Sequence, residues 1–335
     1  MGWGRIGWLG MVFVGWVGGY EWVWAGAGGL GGEGAGDVGG AGWAELGRGR
    51  LRVLGEGQDH LAVSAVVAGE RFVVRMPKGE DGAEGIAREA RLLAELAVGV
   101  RLEIPRYLFT AVNPIGPGEC CVYPEVPGEV LGGREWRARG LLERGETARA
   151  VAEFVDAVHA FSAERARELG VPEWDPRTEF AEDLDLVRAQ VIPLLPEAEG
   201  WRLVELWGEY LSVDGNFEYE PVLTHADVSL DHLLVTGDRI TGVIDFGDVR
   251  IGDPDYDLCY LWSGAGAEFV RRVQDYRGRS LDERLIAKLE FWSCADHAID
   301  VLHGIEHELP EFRDDSVREL RAALARVDGQ STGSL

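Results

Sequence analysis

Two neighbouring stretches decide the fold. Residues 223–235 read Leu-Thr-His-Ala-Asp-Val-Ser-Leu-Asp-His-Leu-Leu-Val, and residues 240–248 read Ile-Thr-Gly-Val-Ile-Asp-Phe-Gly-Asp. Short apolar runs at 233–235 and 240–244 flank a Thr-Gly-Asp turn, a pattern that predicts a β-hairpin. The chain is therefore expected to fold back on itself at this point.

The hairpin brings two carboxylates together. Asp227 precedes its first strand and Asp245 follows its second, so pairing of the strands places both side chains at the same open end. Phosphoryl transfer uses such a pair: one carboxylate orients or deprotonates the attacking hydroxyl, and another holds Mg²⁺ across the nucleotide phosphates. The arrangement fits that chemistry.

Charge and length narrow the class of protein. The chain has 335 residues, with 33 Lys and Arg against 58 Asp and Glu, which gives a net charge of −25. This excess argues against electrostatic binding of nucleic acid. It would attract a polycationic small molecule or keep the protein soluble and monomeric, and composition alone does not separate the two.

The length predicts about two domains of about 150 residues, and the four cysteines are interpreted as reduced structural thiols.

The first 45 residues differ from the rest, because they are rich in glycine and hold six of the 12 tryptophans. An uncharged run at 6–20 after Arg5 resembles a signal-peptide core, and the Ala-Gly-Ala at 25–27 resembles a cleavage site. The run is too short and glycine-rich for a membrane span. Nucleotide chemistry needs a compartment that contains ATP or GTP. We therefore predict a poorly ordered leader or an over-extended start, and a cytoplasmic protein with no membrane association.

Globular patterning begins near residue 51. Residues 51–54 and 61–67 read as a strand pair, and residues 71–76 as a further strand with Phe72, Val74 and Met76 on one face and Val73 and Arg75 on the other. An amphipathic helix over about 83–97 and a strand at 121–123 follow. The two prolines and the glycine of residues 124–128 indicate a stiff connector.

Beyond the connector the pattern is mainly helical. Helices are predicted at 148–169 and 281–307, interrupted by the strand-rich block at 222–248. The predicted division is a leader at 1–45, an N-terminal nucleotide-binding lobe at 46–123, a hinge at 124–128, and a catalytic and substrate-binding C-terminal lobe at 129–335.

Several motifs around the hairpin carry a family resemblance. His225-x-Asp227 is followed by a metal-ligand position at His232, then by Ile-Asp-Phe-Gly-Asp at 244–248 and Gly-Asp-Pro-Asp-Tyr-Asp-Leu at 252–258. This set resembles the aminoglycoside phosphotransferase family, and its 2''-acting members most, over about residues 50–308. The resemblance implies an α+β, two-lobed protein-kinase-like fold with a small β-rich N-lobe and a large, mainly helical C-lobe.

The resemblance also implies roles for individual residues. Asp227 becomes the catalytic base or hydroxyl-orienting group, Asp245 the principal Mg²⁺ ligand, and His225 a support for the catalytic loop. His232 stands where most members have Asn, and an imidazole is a weak ligand for so hard a cation. A water-mediated or purely orienting role for His232 is therefore an alternative to direct ligation.

In the N-terminal lobe, kinases of this kind need a strand cation that pairs with a helix carboxylate. Arg75 occupies the strand position and Glu89 the helix position. Lys78 is the competing cation, but it lies three residues further on, follows Pro77 and would point to the other face of a continuing strand. We choose Arg75, because its guanidinium always carries charge and can fork onto phosphate or carboxylate oxygens.

Two more segments of this lobe are assigned to the nucleotide. Gly55 and Gly57 lie between the first two strands, where a kinase places its phosphate-covering loop; an ordinary hairpin turn is the equally weighted alternative. Pro124 and Val126 lie in the connector that resembles the interlobe hinge. The carbonyl of Pro124 and the amide of Val126 would supply the acceptor and the donor for the nucleobase.

Acidic residues in the C-terminal region are candidates for substrate binding, with an ordinary solvated helix face as the favoured alternative; they are Asp296, Asp300, Glu306 and Glu308. Residues 253–257 are interpreted as structural, capping the next helix and tying down the catalytic loop. His159 is interpreted as a packing histidine inside an apolar helix.

The predicted reaction is transfer of the γ-phosphoryl group of ATP or GTP, with Mg²⁺, to a hydroxyl of a cationic aminoglycoside by a monomeric kinase. Two alternatives stay open from the sequence. One is a kinase of the same fold that acts on a macrolide, choline or a sugar, and the other is a nucleotide-binding pseudokinase. The presence of both hairpin carboxylates counts against the pseudokinase.

Overall fold

The computed structural model describes residues 52–57, 60–67 and 69–331, which divide into two compact units. Unit 1 contains the described residues up to Glu95 together with Pro105–Val126, and unit 2 contains Leu96–Ile104 and the chain from Pro127 onward. The leader predicted at 1–45 lies outside the described residues, as do Gln58 and Asp59.

Unit 1 is an antiparallel sheet with one helix. Its five strands follow the spatial order β1-β2-β3-β5-β4, and α1 joins β3 to β4. The bounds are β1 Arg52–Glu56, β2 His60–Val67, β3 Glu70–Pro77, α1 Glu80–Leu96, β4 Phe109–Val112 and β5 Glu119–Pro124.

The two faces of β3 separate as the period of two predicts. Phe72, Val74 and Met76 join one buried cluster, whereas Val73 packs with Ile86 of α1 in another. The helix face of the sheet is therefore also the face on which Arg75 lies.

Two details of unit 1 differ from the prediction. Helix α1 begins at Glu80, earlier than expected, because Glu80 and Asp81 occupy its first turn, where carboxylates stabilise the exposed amides. Strand β4 was not predicted, since its four residues alternate between half-buried and exposed positions and carry little hydrophobic signal.

Unit 2 is mainly helical. Its helices are α2 Gly133–Ala138, α3 Gly145–His159, α4 Ala163–Glu168, α5 Pro176–Leu186, α6 Glu197–Ser212, α7 Cys259–Ala265, α8 Ala267–Tyr276, α9 Glu283–Glu306 and α10 Pro310–Ser331. The single helix predicted over 148–169 is wrong: α3 ends at His159, and the Ser162 side chain accepts the Arg165 amide to begin α4. A serine inside an otherwise helical pattern was the available signal.

The strands of unit 2 form two small sheets. They are β6 Val222–Thr224, β7 Leu233–Thr236, β8 Arg239–Val243 and β9 Arg250–Gly252. Strands β7 and β8 pair as the predicted hairpin. Strand β9, which is too short to predict, pairs with β6. The segments that precede and follow the hairpin are therefore hydrogen-bonded to each other.

Residues 96–104 belong to unit 2 because they attach to β8. The Glu103 amide donates to the Thr241 carbonyl at 3.0 Å, and the Val243 amide donates back to the Glu103 carbonyl at 2.9 Å. Tertiary pairing of this kind leaves no local pattern in the sequence.

Aromatic residues fill the core of unit 2 around α9. Tyr210 stacks on Phe291 with ring centroids 4.0 Å apart, and Trp174 and Trp292 pack edge-on or tilted against Tyr256. Such pairs each add about 0.5–1.5 kcal/mol beyond the area that they bury. None of the helices in the described part of the chain has the length and hydropathy of a membrane span.

Candidate active site

The open end of the β7–β8 hairpin gathers two carboxylates around one imidazole. His232 Nδ1 lies 3.1 Å from Asp227 Oδ2, and His232 Nε2 lies 3.7 Å from Asp245 Oδ2. Asp245 is 44% exposed, whereas Asp227 and His232 are about a fifth exposed. The two aspartates therefore face the same small volume, and Asp245 faces solvent more than Asp227 does.

Charge and burial oppose each other at His232. Burial lowers the pKa of this imidazole, but hydrogen bonding and proximity to Asp227, with a contribution from Asp245, raise it to about 9. The two neighbouring carboxylates therefore favour the protonated form of His232. A protonated ring neutralises part of the acid pair and fixes the orientation of Asp227.

The backbone is strained at Asp245 and at Ala226, the residue before Asp227. Ala226 has φ 66° and Asp245 has φ 64°, the left-handed region that is unfavourable for residues with a Cβ. Each costs about 1–3 kcal/mol and persists only where surrounding contacts enforce it. Strain of this kind clusters at functional sites, because it re-aims a side chain that regular structure would point elsewhere.

His225 ties the two ends of the hairpin together. Its ring is fully buried, its Nδ1 accepts the Asp227 amide at 3.2 Å, and its Nε2 donates to the Ile244 carbonyl at 3.3 Å. Burial lowers the pKa of this imidazole, which agrees with the neutral tautomer that these two bonds require. The geometry matches the supporting position expected from the sequence.

Ser229, two residues after Asp227, was not singled out from the sequence. Its hydroxyl oxygen is buried and has no hydrogen-bond partner among the described residues. A buried polar group without a partner costs about 1–3 kcal/mol. A ligand oxygen that reached Ser229 would remove that penalty. The only sequence signal was the position of Ser229 in the catalytic loop.

The Gly-Asp-Pro-Asp segment after β9 is built around a buried lysine. The Lys288 ammonium lies 2.6 Å from Asp253 and 2.7 Å from Asp255, and both Lys288 and Asp253 are almost completely inaccessible. The expectation that this segment caps α7 is wrong, since α7 begins without a side-chain cap. The expectation that it ties down the catalytic loop is confirmed, because the Asp257 carboxylate accepts the amides of His225 and Ala226.

In unit 1, Arg75 and Glu89 form a buried ion pair. Arg75 Nη1 lies 2.7 Å from Glu89 Oε2, and the Glu89 side chain is fully buried. Tyr107, which the sequence did not indicate, donates to the same oxygen at 2.8 Å, while Arg75 Nη2 donates to His60 Nδ1. Glu89 Oε1 has no hydrogen-bond partner within the described residues.

Lys78, the competing cation, lies at an exposed position. It donates to the carbonyl of Gly57 at 2.8 Å. Neither Gly55 nor Gly57 has a positive φ, and a Cβ at either would meet nothing closer than 3.9 Å. The described backbone therefore does not itself require glycine at these two positions.

The connector begins inside the sheet rather than after it. Pro124 is the last residue of β5, and the Glu125 amide donates to the Arg71 carbonyl at 2.9 Å. Val126 is buried, and its amide donates to no group among the residues that the structure describes.

Of the acidic candidates in the C-terminal region, Asp296 lies closest to the chemistry. It accepts hydrogen bonds from the Tyr256 hydroxyl at 3.0 Å and the Cys259 thiol at 3.2 Å. The pKa of Tyr260 is raised well above its usual value, by Asp296 first, then by burial, and further by charges that include Asp227. The charges of Asp296 and Asp227 thus both raise the pKa of the Tyr260 phenol.

The other three acidic candidates do not lie together with Asp296 at one place. Asp300 lies 3.7 Å from His297, one turn beyond Asp296 on α9. Glu306 and Glu308 are exposed at and beyond the end of α9. At about 1.5 Å of rise per residue, Glu306 lies about 15 Å further along the axis than Asp296. These four residues therefore do not form one patch.

Burial of Asp296 gives a prediction about stability. Burial raises the pKa of its carboxyl to about 6, against the opposing effect of the hydrogen bonds from Cys259 and Tyr256. The folded protein therefore binds a proton that the unfolded chain releases near pH 4. The corresponding stabilisation is complete below about pH 4 and is lost as the pH rises through about 6.

Replacing Asp296 by Asn should remove this loss, because a neutral amide can still accept the Tyr256 hydroxyl. We expect Asp296→Asn to be about 1–3 kcal/mol more stable than the wild type at pH 7, with a flatter dependence between pH 4 and 7. Urea unfolding across this range measures the effect. Glu306→Gln, at an exposed position of the same helix, controls for the loss of one carboxylate. A more stable wild type at pH 7 would contradict the reasoning.

The donor set suits a hard divalent cation only in part. No group of three or more His, Cys, Asp or Glu residues within the described ranges is arranged as a complete metal site. Mg²⁺ does not require one, since it usually keeps several waters and takes one or two protein carboxylates together with substrate phosphates. The half-exposed carboxylate of Asp245 fits this requirement. The neighbouring carboxylates raise the pKa of His232 and so favour its protonated form, which cannot ligate a metal.

Comparisons with known proteins extend these observations. A sequence model described as the phosphotransferase enzyme family matches residues 50–292. An aminoglycoside 3'-phosphotransferase from Escherichia coli is 30% identical over 141 residues, which is 42% of this chain and 47% of that protein. The chain therefore spans about half the length of this curated relative.

Among solved structures, the GDP and kanamycin complex of APH(2'')-IIIa superposes with a TM-score of 0.74 at 30% identity, over 82% of this chain and 93% of that chain. A macrolide 2'-phosphotransferase from Brachybacterium faecium superposes with a TM-score of 0.63 at 24% identity, over 81% and 91% of the two chains. The second likeness supports the fold alone.

Proposed function

The chain belongs to the phosphotransferase enzyme family. From this premise we propose that it is a kinase-type O-phosphotransferase, which transfers the γ-phosphoryl group of ATP or GTP to a hydroxyl of an aminoglycoside. One observation carries the proposal: Asp227 and Asp245, 18 residues apart, converge on the single imidazole of His232. A hydroxyl acceptor and a metal-bound triphosphate need two carboxylates placed in this way.

Asp227 is the group that handles the acceptor. Its partly buried carboxylate accepts a hydrogen bond from the attacking hydroxyl, and the proton passes to Asp227 as the new P–O bond forms. The bond between the γ-phosphorus and the β–γ bridging oxygen breaks in the same step, and nucleoside diphosphate leaves. Protonated His232, at 3.1 Å, keeps one carboxylate oxygen occupied. The other oxygen is thereby directed to the substrate.

Asp245 is the residue that would hold Mg²⁺, with phosphate oxygens and waters as the remaining ligands. The ion supplies charge neutralisation to the phosphates when it is bound. The left-handed backbone conformation at Asp245 directs its carboxylate toward His232, away from the direction that a continued strand β8 would give it. The buried hydroxyl of Ser229 is available to a phosphate oxygen in the same loop.

Unit 1 contributes the nucleotide contacts. Arg75 is fixed by Glu89 and His60, so its guanidinium is pre-oriented for phosphate oxygens. Glycine at 55 and 57 leaves open space beside the backbone, which would allow phosphates to approach it closely. The amide of Val126 supplies a donor for the nucleobase.

The acidic character of the C-terminal site favours a cationic acceptor over a neutral one. Burial destabilises the ionised form of Asp296, and ionisable groups with pKa values perturbed in this way are typical of functional sites. An ammonium group near Asp296 would compensate the buried charge. The net charge of −25 would attract a polycation over longer distances.

The test is a nucleotide-consumption assay with a panel of acceptors. Purified protein receives ATP or GTP with Mg²⁺ and, separately, kanamycin, gentamicin, streptomycin, a macrolide, or no acceptor. We expect release of nucleoside diphosphate above the acceptor-free rate with at least one aminoglycoside, and a product heavier by one phosphoryl group in mass spectrometry. Turnover of the macrolide alone would overturn the aminoglycoside assignment, and no acceptor-dependent turnover across the panel would count against the acceptor class.

A further inference from the structure

We propose that His159 and Arg277 are positioning residues for the catalytic loop and that they act through Asp257. The proposal rests on the proposed function in that the loop carries Asp227. His159 is the last residue of α3, Arg277 directly follows α8, and Asp257 lies in the short turn before α7. None of the three touches a substrate-facing atom of Asp227.

The first step is the contact between Asp257 and the loop backbone. Asp257 Oδ1 accepts the Ala226 amide at 2.7 Å, and Oδ2 accepts the His225 amide at 3.3 Å. Both amides belong to the left-handed turn that precedes Asp227. An ionised carboxylate that holds two consecutive amides stabilises this strained turn, because charge-assisted hydrogen bonds are about twice as strong as neutral ones.

The second step is the contact between His159 and Asp257. His159 Nε2 lies 2.8 Å from Asp257 Oδ2, and both side chains are buried. Burial alone would raise the pKa of Asp257, yet its pKa is lowered, first by the hydrogen bond and the proximity of His159, then by His225 and by the Ala226 amide. His159 therefore helps to keep Asp257 in the form that can accept both amides.

The third step fixes the tautomer of His159. Arg277 Nη2 lies 3.0 Å from His159 Nδ1, and a guanidinium can only donate. Nδ1 must then be the acceptor, which leaves the proton of the neutral ring on Nε2, facing Asp257. Without Arg277, the proton has an alternative position on Nδ1, and Asp257 would face a lone pair.

Arg277 is itself held on its remaining sides. Its side chain is fully buried, Nε donates to Asp156 Oδ1 at 2.8 Å, and Nη1 donates to Gln274 Oε1 at 3.0 Å. A guanidinium with three fixed partners has little rotational freedom. The sequence interpretation of His159 as a packing histidine is thus incomplete, since both of its ring nitrogens have specific polar partners.

A positioning role for His159 predicts a change in catalytic rate that is distinct from any change in the stability of the whole fold. Removal of His159 leaves the loop in place but weakens the enforcement of its left-handed turn, which sets where Asp227 points. Small misplacements of a catalytic group lower the rate by up to about a hundredfold. We therefore expect His159→Phe to lower kcat about tenfold to a hundredfold while the KM for nucleotide changes by less than about threefold.

The experiment uses the full chain and a direct readout on the loop. Hydrogen exchange of the peptide that contains residues 225–227 is compared among wild type, His159→Phe, His159→Gln and His303→Phe. His303 is the matched control, because it also lies in the last turn of a helix, α9, with its ring against His307 and Phe312. We expect exchange at Ala226 to be about tenfold faster in His159→Phe, unchanged in His303→Phe, and largely restored in His159→Gln, whose amide can still donate to Asp257.

Nitrogen chemical shifts of the wild-type histidines test the same chain of contacts without any substitution. We expect the His159 ring to carry its proton on Nε2, facing Asp257, and a lone pair on Nδ1, facing Arg277. A His159 ring protonated on Nδ1, or unchanged loop exchange in a folded His159→Phe, would overturn the proposal. Because exchange and tautomer need no turnover, they test the positioning role even if the acceptor panel finds no substrate, and a positive panel with unchanged exchange would reject the positioning role alone.

Discussion

Asp227→Asn is expected to lower kcat by about a hundredfold to ten-thousandfold, the range over which a single general base or proton acceptor contributes. Asn keeps the size of the side chain, and its amide oxygen can replace the carboxylate oxygen that lies 3.1 Å from His232 Nδ1. The contact of Nδ1 with the main-chain carbonyl of residue 227 is unaffected. What it loses is the ability to take the hydroxyl proton. Affinity for nucleotide should therefore stay within about threefold of the wild type, since the triphosphate is assigned to other residues.

The measurement is steady-state turnover with the best aminoglycoside from the panel, together with equilibrium binding of nucleotide. Asp231→Asn, which changes an exposed carboxylate in the same loop, is the matched control and should retain wild-type turnover. Asp245→Asn should differ from both, because it is expected to raise the Mg²⁺ concentration needed for half-maximal rate. Wild-type turnover in Asp227→Asn would remove the basis for the proposed chemistry.

The convergence of the two aspartates was predictable because it depends on local sequence. A two-stranded hairpin with a short turn sets the separation of its ends, so the positions of Asp227 and Asp245 follow from the register of β7 and β8. The position of Arg75 on its strand could equally be predicted from the sequence, since a period of two places Arg75 on the face that α1 covers. Glu89 then follows from the helical spacing.

Other parts of the site depend on contacts that no local pattern encodes. His159 and Asp257 are 98 residues apart, and Arg277 and His159 are 118 residues apart. Tyr107 reaches Glu89 from a stretch without regular periodicity. A polar side chain in an apolar helix shows only that some partner exists, and the identity of that partner requires the tertiary structure.

Two kinds of buried charge in unit 2 have different consequences. Asp296 has only neutral donors as direct partners, so its ionised form is destabilised and a ligand cation would compensate it. Asp253 is also buried and burial raises the pKa of its carboxyl, but the Lys288 ammonium, 2.6 Å away, opposes that shift. The first arrangement has no cation of its own among the described residues and is open to a ligand ammonium, whereas the second already contains the Lys288 ammonium and serves the fold.

Lys288 therefore leads to the largest expected effect on stability. Its ammonium is almost completely inaccessible, lies between Asp253 and Asp255, and is 5.0 Å from the ring centroid of Trp292. In Lys288→Met the aliphatic volume is kept, but Asp253 loses its counter-charge while fully buried. Removing one partner of a buried ion pair costs about 3–5 kcal/mol, more than most single substitutions.

Urea unfolding of Lys288→Met measures this loss, with Lys78→Met as the control because Lys78 and Lys288 are the only lysines and Lys78 is exposed. The decisive comparison is the double variant Lys288→Met/Asp253→Asn. If the loss comes from an uncompensated carboxylate, neutralising Asp253 should recover a large part of it, and the two substitutions should be strongly non-additive. Additive losses would instead show that Lys288 contributes through packing on Trp292, and the segment after β9 would then owe its conformation to something other than this ion pair.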